Sequence, residues 1–206
     1  MPDVVTITVE PAFAMADVFS EIESRRWCIE QDAAIIWATG PNVLHALDSY
    51  PLGCYHMGVN GAVDLPVHLH SRVILDSLAP RCAWYRHNIG VTEILTSVLR
   101  PPWAHMQFQA HADRPHIRAR KLPAECTVSG AALALLYWCY KWHGKPSTVY
   151  LAGCDMGGGQ YFNGYATQTP GRWSQCDNFN ALIRECEAGG LTVVTLTDTL
   201  LEVQHV

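Results

Sequence analysis

Four short polar segments each follow an apolar stretch of the chain, and they carry side chains suited to bind a polar ligand. They are Thr39-Gly40-Pro41-Asn42, Asn60-Gly61, Asp76-Ser77 and the Asp-Met-Gly-Gly-Gly segment at 155–159. Glycine lets a ligand approach the backbone closely, while Asn, Asp and Thr supply hydrogen-bonding groups. The same residue types make ordinary turns, so a turn explains any one segment alone. Four segments in equivalent positions predict a binding site.

The apolar stretches predict the elements that position these segments. Strands are expected at 4–9, 33–38, 54–59, 72–75, 148–152 and 192–197, and helices at 15–26, at 129–142 and directly after Pro41. This alternation is typical of an α/β fold, a Rossmann-like open and mainly parallel sheet with helices on both faces. Ligands of such sheets bind beyond the carboxyl ends of the strands, where the strand order reverses. The four polar segments are therefore expected along one edge of the sheet.

The size and charge of the chain narrow the classes of function. Its 206 residues, 49% of them hydrophobic, predict a single domain over residues 1–206, with a lid or insertion at about 100–125. A net charge of −5 provides no basic surface for nucleic acid. No apolar run reaches the length of roughly 18 residues that a membrane span needs. The segment MPDVVTITVEP lacks the pattern of a signal peptide, which predicts a cytoplasmic protein.

The cysteines and histidines raise the question of metal binding. Eight cysteines are scattered through apolar stretches without a C-x-x-C pair, which indicates reduced, mostly buried thiols and no structural zinc site. His68 and His70 have the spacing of two ligands on one strand face, and further ligands would come from His56, His105, His111 or His116. Local spacing is the whole support for that alternative, so we predict no metal site.

Three common motifs are absent. The first predicted buried strand is not followed by the G-x-G-x-x-G turn of dinucleotide-binding enzymes, and the chain has no Walker A loop. It also lacks the G-x-S-x-G motif of many hydrolases. These absences disfavour ordinary NAD enzymes, P-loop kinases and serine hydrolases.

One block of sequence resembles a known family. Thr127-Val128-Ser129-Gly130, followed by HGKPSTVYLAGCDM at 143–156, resembles the "SG, apolar helix, IYLxGxD" block of bacterial sialyltransferases of glycosyltransferase family 42. It is also similar to the related DUF115 group, which includes archaeal 6-hydroxymethylpterin diphosphokinases. The segments ATGPNVL, MGVNGAV and VILDS resemble the ends of that family's first three strands. The resemblance covers about two thirds of the chain, from Ala33 to Tyr161 with a gap in the middle.

The resemblance implies a site for a nucleotide or a nucleotide-sugar such as CMP-sialic acid. The implied nucleotide-binding residues are Thr39, Gly40, Pro41, Asn42, Asn60, Asp76, Ser129 and Gly130. Asp155 would close the cytosine or ribose pocket, and Tyr161 would hydrogen-bond the leaving phosphate. The implied activity is that of a glycosyltransferase-like transferase.

The chain departs from the family at the general base. The family carries a histidine just beyond this region, whereas the comparable stretch here is Gly171-Arg172-Trp173-Ser174. Loss of a general base lowers a rate by about 10²-fold to 10⁴-fold. The planar guanidinium of Arg172 suits a leaving phosphate, which fits pyrophosphoryl transfer as well as sugar transfer. Two alternatives stay open: a diphosphokinase with Mg²⁺ held by Asp76 or Asp155, and a non-catalytic nucleotide-binding module.

Three other segments are interpreted from their composition. The basic run at 114–121 is either a solvated face or part of a lid that contacts phosphates. The aromatic residues late in the 129–142 helix are expected in the core or in the interface of a homo-oligomer. The long Gly-rich and aromatic segment at 157–173 is predicted to be a substrate loop.

Overall fold

A computed structural model of the chain describes residues 31–74, 82–86, 93–96, 106–107, 129–141, 147–157, 160–164 and 172–206. The predicted strand at 4–9, the predicted helix at 15–26 and the basic run at 114–121 lie outside the described residues. So does nearly all of the predicted lid at about 100–125. The single-domain interpretation therefore stays a prediction.

The described part of the chain forms one parallel sheet of eight strands, in the order β5-β4-β3-β2-β1-β6-β7-β8. The strands are β1 (Ala33–Trp37), β2 (Tyr55–Val59), β3 (Ser71–Ile74), β4 (Glu93–Thr96), β5 (Met106–Gln107), β6 (Ser147–Ala152), β7 (Leu191–Thr195) and β8 (Gln204–His205). The chain builds outward from β1 to β5 and then returns to the other side of β1, where β6 pairs with it. The strand order thus reverses between β1 and β6. The predicted open α/β fold is confirmed.

Helices cover both faces of the sheet. Two α-helices, α1 (Gly130–Lys141) and α2 (Arg172–Ala188), pack on one face, and 3₁₀ helices at Val43–Asp48, Asn60–Asp64 and Ala83–Arg86 cover the other. Strand β1 explains why both faces need a cover. Ala34 and Ile36 face the α-helices, Ile35 and Trp37 face the 3₁₀ helices, and all four are fully buried. A strand with no polar face is typical of the centre of a parallel sheet.

Two local predictions need correction. The helix expected directly after Pro41 is a 3₁₀ helix of six residues rather than an α-helix. Its tighter i→i+3 hydrogen bonding is common in short connectors. Helix α2 was not predicted, and it begins at Arg172, within the segment that was expected to form a loop. Cys176, Phe179 and Ile183 recur at helical spacing and are buried against the sheet. In the sequence, the polar residues around them obscure this pattern.

Candidate functional site

The turns that follow β1 and β6 lie side by side at the carboxyl edge of the sheet, where the strand order reverses. The parallel pairing continues past the strand ends. The backbone N–H of Ala38 donates to the Ala152 carbonyl at 2.8 Å, and the N–H of Gly40 donates to the Gly153 carbonyl at 2.9 Å. This edge is the position at which open α/β sheets bind ligands.

Glycines at positions 40 and 153 allow the two turns to pack this closely. A Cβ atom at Gly40 would lie 2.3 Å from Oδ1 of Asp155 and 2.4 Å from the Gly153 carbonyl oxygen. Gly153 has a φ of +70°, and a Cβ there would lie 2.6 Å from Cβ of Val43. The space above Gly40, which the sequence suggested as room for a ligand, holds the side chain of Asp155. The partly buried Asp155 carboxylate therefore lies directly over the β1 turn.

Asn42 connects the β1 turn to the segment after β7. Its Nδ2 donates a hydrogen bond to the Asp198 carbonyl at 2.7 Å. Although Asn42 precedes the first 3₁₀ helix, its side chain makes no capping hydrogen bond there. Its Oδ1 is buried and has no hydrogen-bond partner among the described residues. Asn42 thus holds two parts of the site edge together.

The end of β2 meets the beginning of α1. A Cβ at Gly130 would lie 2.4 Å from Cγ1 of Val59 and 3.8 Å from Nδ2 of Asn60, so the first turn of α1 packs directly on this strand end. Ser129 caps the helix, because its Oγ accepts a hydrogen bond from the backbone N–H of Ala132 at 3.1 Å. Asn60 has a φ of +48°, a left-handed conformation that Asn tolerates better than most residues.

The segment 160–164 folds back over the ends of β1 and β2. The N–H of Phe162 donates to the Thr39 carbonyl at 3.1 Å, and Thr39 itself is buried. Nδ2 of Asn163 lies 3.4 Å from Oδ2 of Asp64, in the 3₁₀ helix that follows β2. Tyr161 is partly buried within this segment. Tyr161 therefore lies at the same edge of the sheet as the β1 turn.

Most residues that the sequence singled out meet along this edge. Those with described positions there are Thr39, Gly40, Pro41, Asn42, Asn60, Ser129, Gly130, Asp155 and Tyr161. Asp76 lies outside the described residues. Arg172 is the first residue of α2, and only its backbone is described.

Two features of this region were not anticipated. Thr197 and Thr199, after β7, bond to the β6 turn. In the sequence they belong to a run of alternating threonines that continues past the strand.

Arg72, on β3, is fully buried, with its guanidinium carbon 5.8 Å from the centroid of a Trp84 ring. Its signal is a charged residue at the start of an apolar strand. Burial of a charged side chain is costly unless other interactions compensate for the lost hydration.

Three histidines cluster beside β2, on the strand itself and on the chain leading into β3. The ring centroids of His56 and His70 are 5.7 Å apart, and those of His68 and His70 are 5.3 Å apart. Nδ1 of His56 accepts a hydrogen bond from Nε1 of Trp37 at 3.3 Å, and Nδ1 of His70 accepts one from the His56 backbone N–H at 2.9 Å. Within the described residues, no group of three or more His, Cys, Asp or Glu side chains could hold a metal ion.

Burial and the neighbouring imidazoles favour the neutral forms of His56 and His70. Burial, together with the neighbouring His70 and His68, lowers the pKa of His56 to about 4. Burial and His68 also lower the pKa of His70. Neutral imidazoles accept hydrogen bonds through an unprotonated nitrogen, as both Nδ1 atoms do here.

The cysteines whose side chains the structure describes are free thiols, as predicted: Cys54, Cys82, Cys154, Cys176 and Cys186. Burial raises the pKa of the Cys154 thiol, and the carboxylate of Asp155 raises it further. Burial also raises the pKa values of Cys54 and Cys176. A thiol with a raised pKa forms little of the reactive thiolate, so these residues act in packing.

Comparison of the chain with protein-family models, curated proteins and solved structures finds no match. None of the helices that the structure describes is long and apolar enough to cross a membrane.

Proposed function

We propose that this protein binds a nucleotide or a nucleotide-sugar at the carboxyl ends of β1 and β6, and that it acts as a transferase resembling the CMP-sialic-acid-dependent enzymes. The observation that carries the proposal is the contact between the β1 and β6 turns, which puts the Asp155 carboxylate at the reversal of strand order. This is the edge at which Rossmann-like sheets bind nucleotides.

The groups along this edge suit the parts of a nucleotide. The Asp155 carboxylate is an acceptor for ribose hydroxyl or base amino groups. The first N–H groups of an α-helix have no partner within the helix, and in α1 the Ser129 hydroxyl accepts a hydrogen bond from that of Ala132. The remaining N–H groups of this turn and the helix dipole favour a phosphate near Gly130. Tyr161 supplies a phenol hydroxyl at the same edge.

A thermal-shift screen of nucleotides and nucleotide-sugars, with and without Mg²⁺, tests the binding proposal. A ligand that binds only the folded state raises the melting temperature as its concentration increases. The affinity of the best ligand is then measured by calorimetry for the wild type, Asp155→Asn and the control Asp48→Asn, which changes an exposed carboxylate. We expect Asp155→Asn to weaken binding about tenfold or more, as loss of a hydrogen bond to a charged group does. The absence of a saturable shift with every ligand would contradict the proposal.

Turnover separates the transferase from its alternatives. Release of free nucleotide from a nucleotide-sugar in the presence of an acceptor supports sugar transfer. Loss of activity with EDTA would instead favour pyrophosphoryl transfer, which needs a divalent metal to bridge phosphates. Tight binding without turnover would favour the non-catalytic module. The absence of a histidine at Gly171-Arg172-Trp173-Ser174 is the observation that supports this non-catalytic alternative.

A further inference from the structure

The chain continues past β7 in a segment with alternating threonines, which we call the β7 extension (residues 196–200). Thr195, the last residue of β7, begins the alternation, and the extension continues it with Thr197 and Thr199. Oγ1 of Thr195 donates to the Thr197 carbonyl at 2.6 Å and accepts from the Thr197 N–H at 3.2 Å. Thr195 and Thr197 are both buried. These bonds give the β7 extension a defined conformation beyond the end of the sheet ladder.

The two threonines of the extension bind the backbone of the β6 turn. Oγ1 of Thr197 accepts a hydrogen bond from the N–H of Gly153 at 3.0 Å. Oγ1 of Thr199 donates to the carbonyl of Cys154 and accepts from the N–H of Leu201 at 3.1 Å. Each threonine thus holds one of the two residues that immediately precede Asp155.

Backbone groups of the extension complete its contacts with both turns. The N–H of Leu200 donates to the backbone carbonyl of Asp155 at 3.0 Å. The carbonyl of Asp198 accepts the hydrogen bond from Nδ2 of Asn42 on the β1 turn. One short segment therefore contacts the turns that follow β1 and β6, the two strands on either side of the reversal of strand order.

We propose that the β7 extension, through Thr197 and Thr199, positions Asp155 relative to the β1 turn for ligand binding. This inference rests on the proposed function, because it assigns a role to residues that support that site. Thr197 and Thr199 are positioning residues: their described hydroxyl bonds go to the backbone of the β6 turn and to the backbone N–H of Leu201, the residue that follows the extension. A side chain on a well-ordered turn loses less conformational freedom when it binds a ligand than one on a mobile turn does.

Thr199→Val tests the proposal, because valine keeps the shape of threonine and removes the hydroxyl. Thr199→Ser keeps the hydroxyl, and Thr192→Val is a control at an exposed threonine of β7. Thr199→Ala serves as a second variant without the hydroxyl if valine prevents folding. Amide hydrogen exchange measured by NMR reports on the turns without any ligand. The informative amides are those of Leu200, Gly40 and, as a reference within the sheet, Val193.

We expect Thr199→Val to speed exchange at Leu200 and Gly40 by about fivefold or more, with Val193 unchanged, as loss of one hydrogen bond would do locally. Thr199→Ser and Thr192→Val should stay within about twofold of the wild type. Unchanged exchange at Leu200 and Gly40 would overturn the proposal. So would an equal increase at Val193, because that result indicates general loss of stability.

The ligand arm uses the nucleotide or nucleotide-sugar that gives a saturable thermal shift. Thr199→Val should raise its Kd by about three- to tenfold, and Thr199→Ser should restore the wild-type value within about twofold. Faster exchange with an unchanged Kd would overturn the positioning role and leave nucleotide binding intact. If no nucleotide binds the wild type, the proposed function fails, and the exchange results alone decide whether the extension fixes the two turns.

Discussion

Oδ1 of Asp155 lies 2.3 Å from the position that a Cβ atom would take at Gly40. The carbonyl oxygen of Gly153 lies 2.4 Å from the same position. A distance below 3 Å is too short for real Cβ contacts, so residue 40 must be glycine for the two turns to fit together. This contact joins the strand ends at which the candidate ligand site is formed.

Replacement of Gly40 by alanine should lower the free energy of unfolding by about 1 to 3 kcal/mol, as overpacking does elsewhere. The Asp155 side chain can rotate away, but the Gly153 carbonyl belongs to the backbone and must shift with its turn. Urea denaturation measures the loss. Gly157→Ala is the matched control on the same edge, because a Cβ there would meet its nearest atoms at 3.9 to 4.0 Å. Equal stability of the two variants would show that the contact does not constrain position 40.

Replacement of Gly130 by alanine should destabilise the protein even though alanine favours helices by about 1 kcal/mol. The new Cβ would lie 2.4 Å from Cγ1 of Val59, a buried β-branched side chain with little freedom to move. Val59→Ala removes the obstructing methyl groups. In a double-mutant cycle, Gly130→Ala should therefore be less harmful in the Val59→Ala background. Additive effects of the two substitutions would contradict this packing.

Replacement of Asn42 should distinguish its contact with Asp198 from a helix cap. Asn42→Ala loses one hydrogen bond and should cost about 1 kcal/mol of stability. Asn42→Asp should cost more, because it places a carboxylate oxygen against the Asp198 carbonyl. A capping role predicts the opposite order, since Asp is a good N-cap and Ala a poor one. Thermal unfolding of the two variants therefore decides between the roles.

Stability should fall as the pH is lowered through the titration range of His56. An unfolded histidine has a pKa near 6.5, whereas burial and the neighbouring His70 and His68 lower that of His56 to about 4. Between these values the unfolded chain binds a proton that the folded chain excludes. The contribution of neutral His56 to the free energy of unfolding is fully present above about pH 6.5, and about 2 kcal/mol of it is lost by pH 5.

The pH dependence is measured by urea denaturation of the wild type and His56→Gln between pH 7 and pH 5. His56→Gln should show the smaller change, because glutamine does not titrate. His45→Gln, at an exposed histidine with no described ring contact, is the control for the loss of a histidine side chain. The same pH dependence in all three proteins would exclude His56 as its source.

The sequence determined the central strands and the edge of the sheet where polar segments gather. Residues 34–37 are apolar without alternation, and a short run of this kind is typical of a strand buried on both faces. Polar residues interrupt the apolar run at the end of each such strand, which is why Thr39, Asn60 and Asp155 could be recognised. The short range of these signals explains their success: strand and turn are both encoded within a few neighbouring residues.

The roles of individual residues were decided only by the tertiary structure. The sequence suggested that Gly40 makes room for a ligand and that Asn42 either caps a helix or contacts the ligand. In the fold, Asp155 fills the space at Gly40, and Asn42 donates to Asp198, which is 156 positions away in sequence. No local pattern encodes which distant segment will lie against a turn, because the order of the strands sets that contact.

Helix α2 and the β7 extension show the same division. The apolar face of α2 is narrow and interrupted by polar residues, so its helical spacing becomes clear only when burial identifies Phe179 and Ile183 as core. The threonines after β7 are strand-like in sequence, and pairing of β7 with β6 brings their hydroxyl groups to the Asp155 turn. Local sequence fixes what each segment can form, and long-range packing fixes which groups meet, because hydrogen bonds between distant segments depend on the arrangement of the whole sheet.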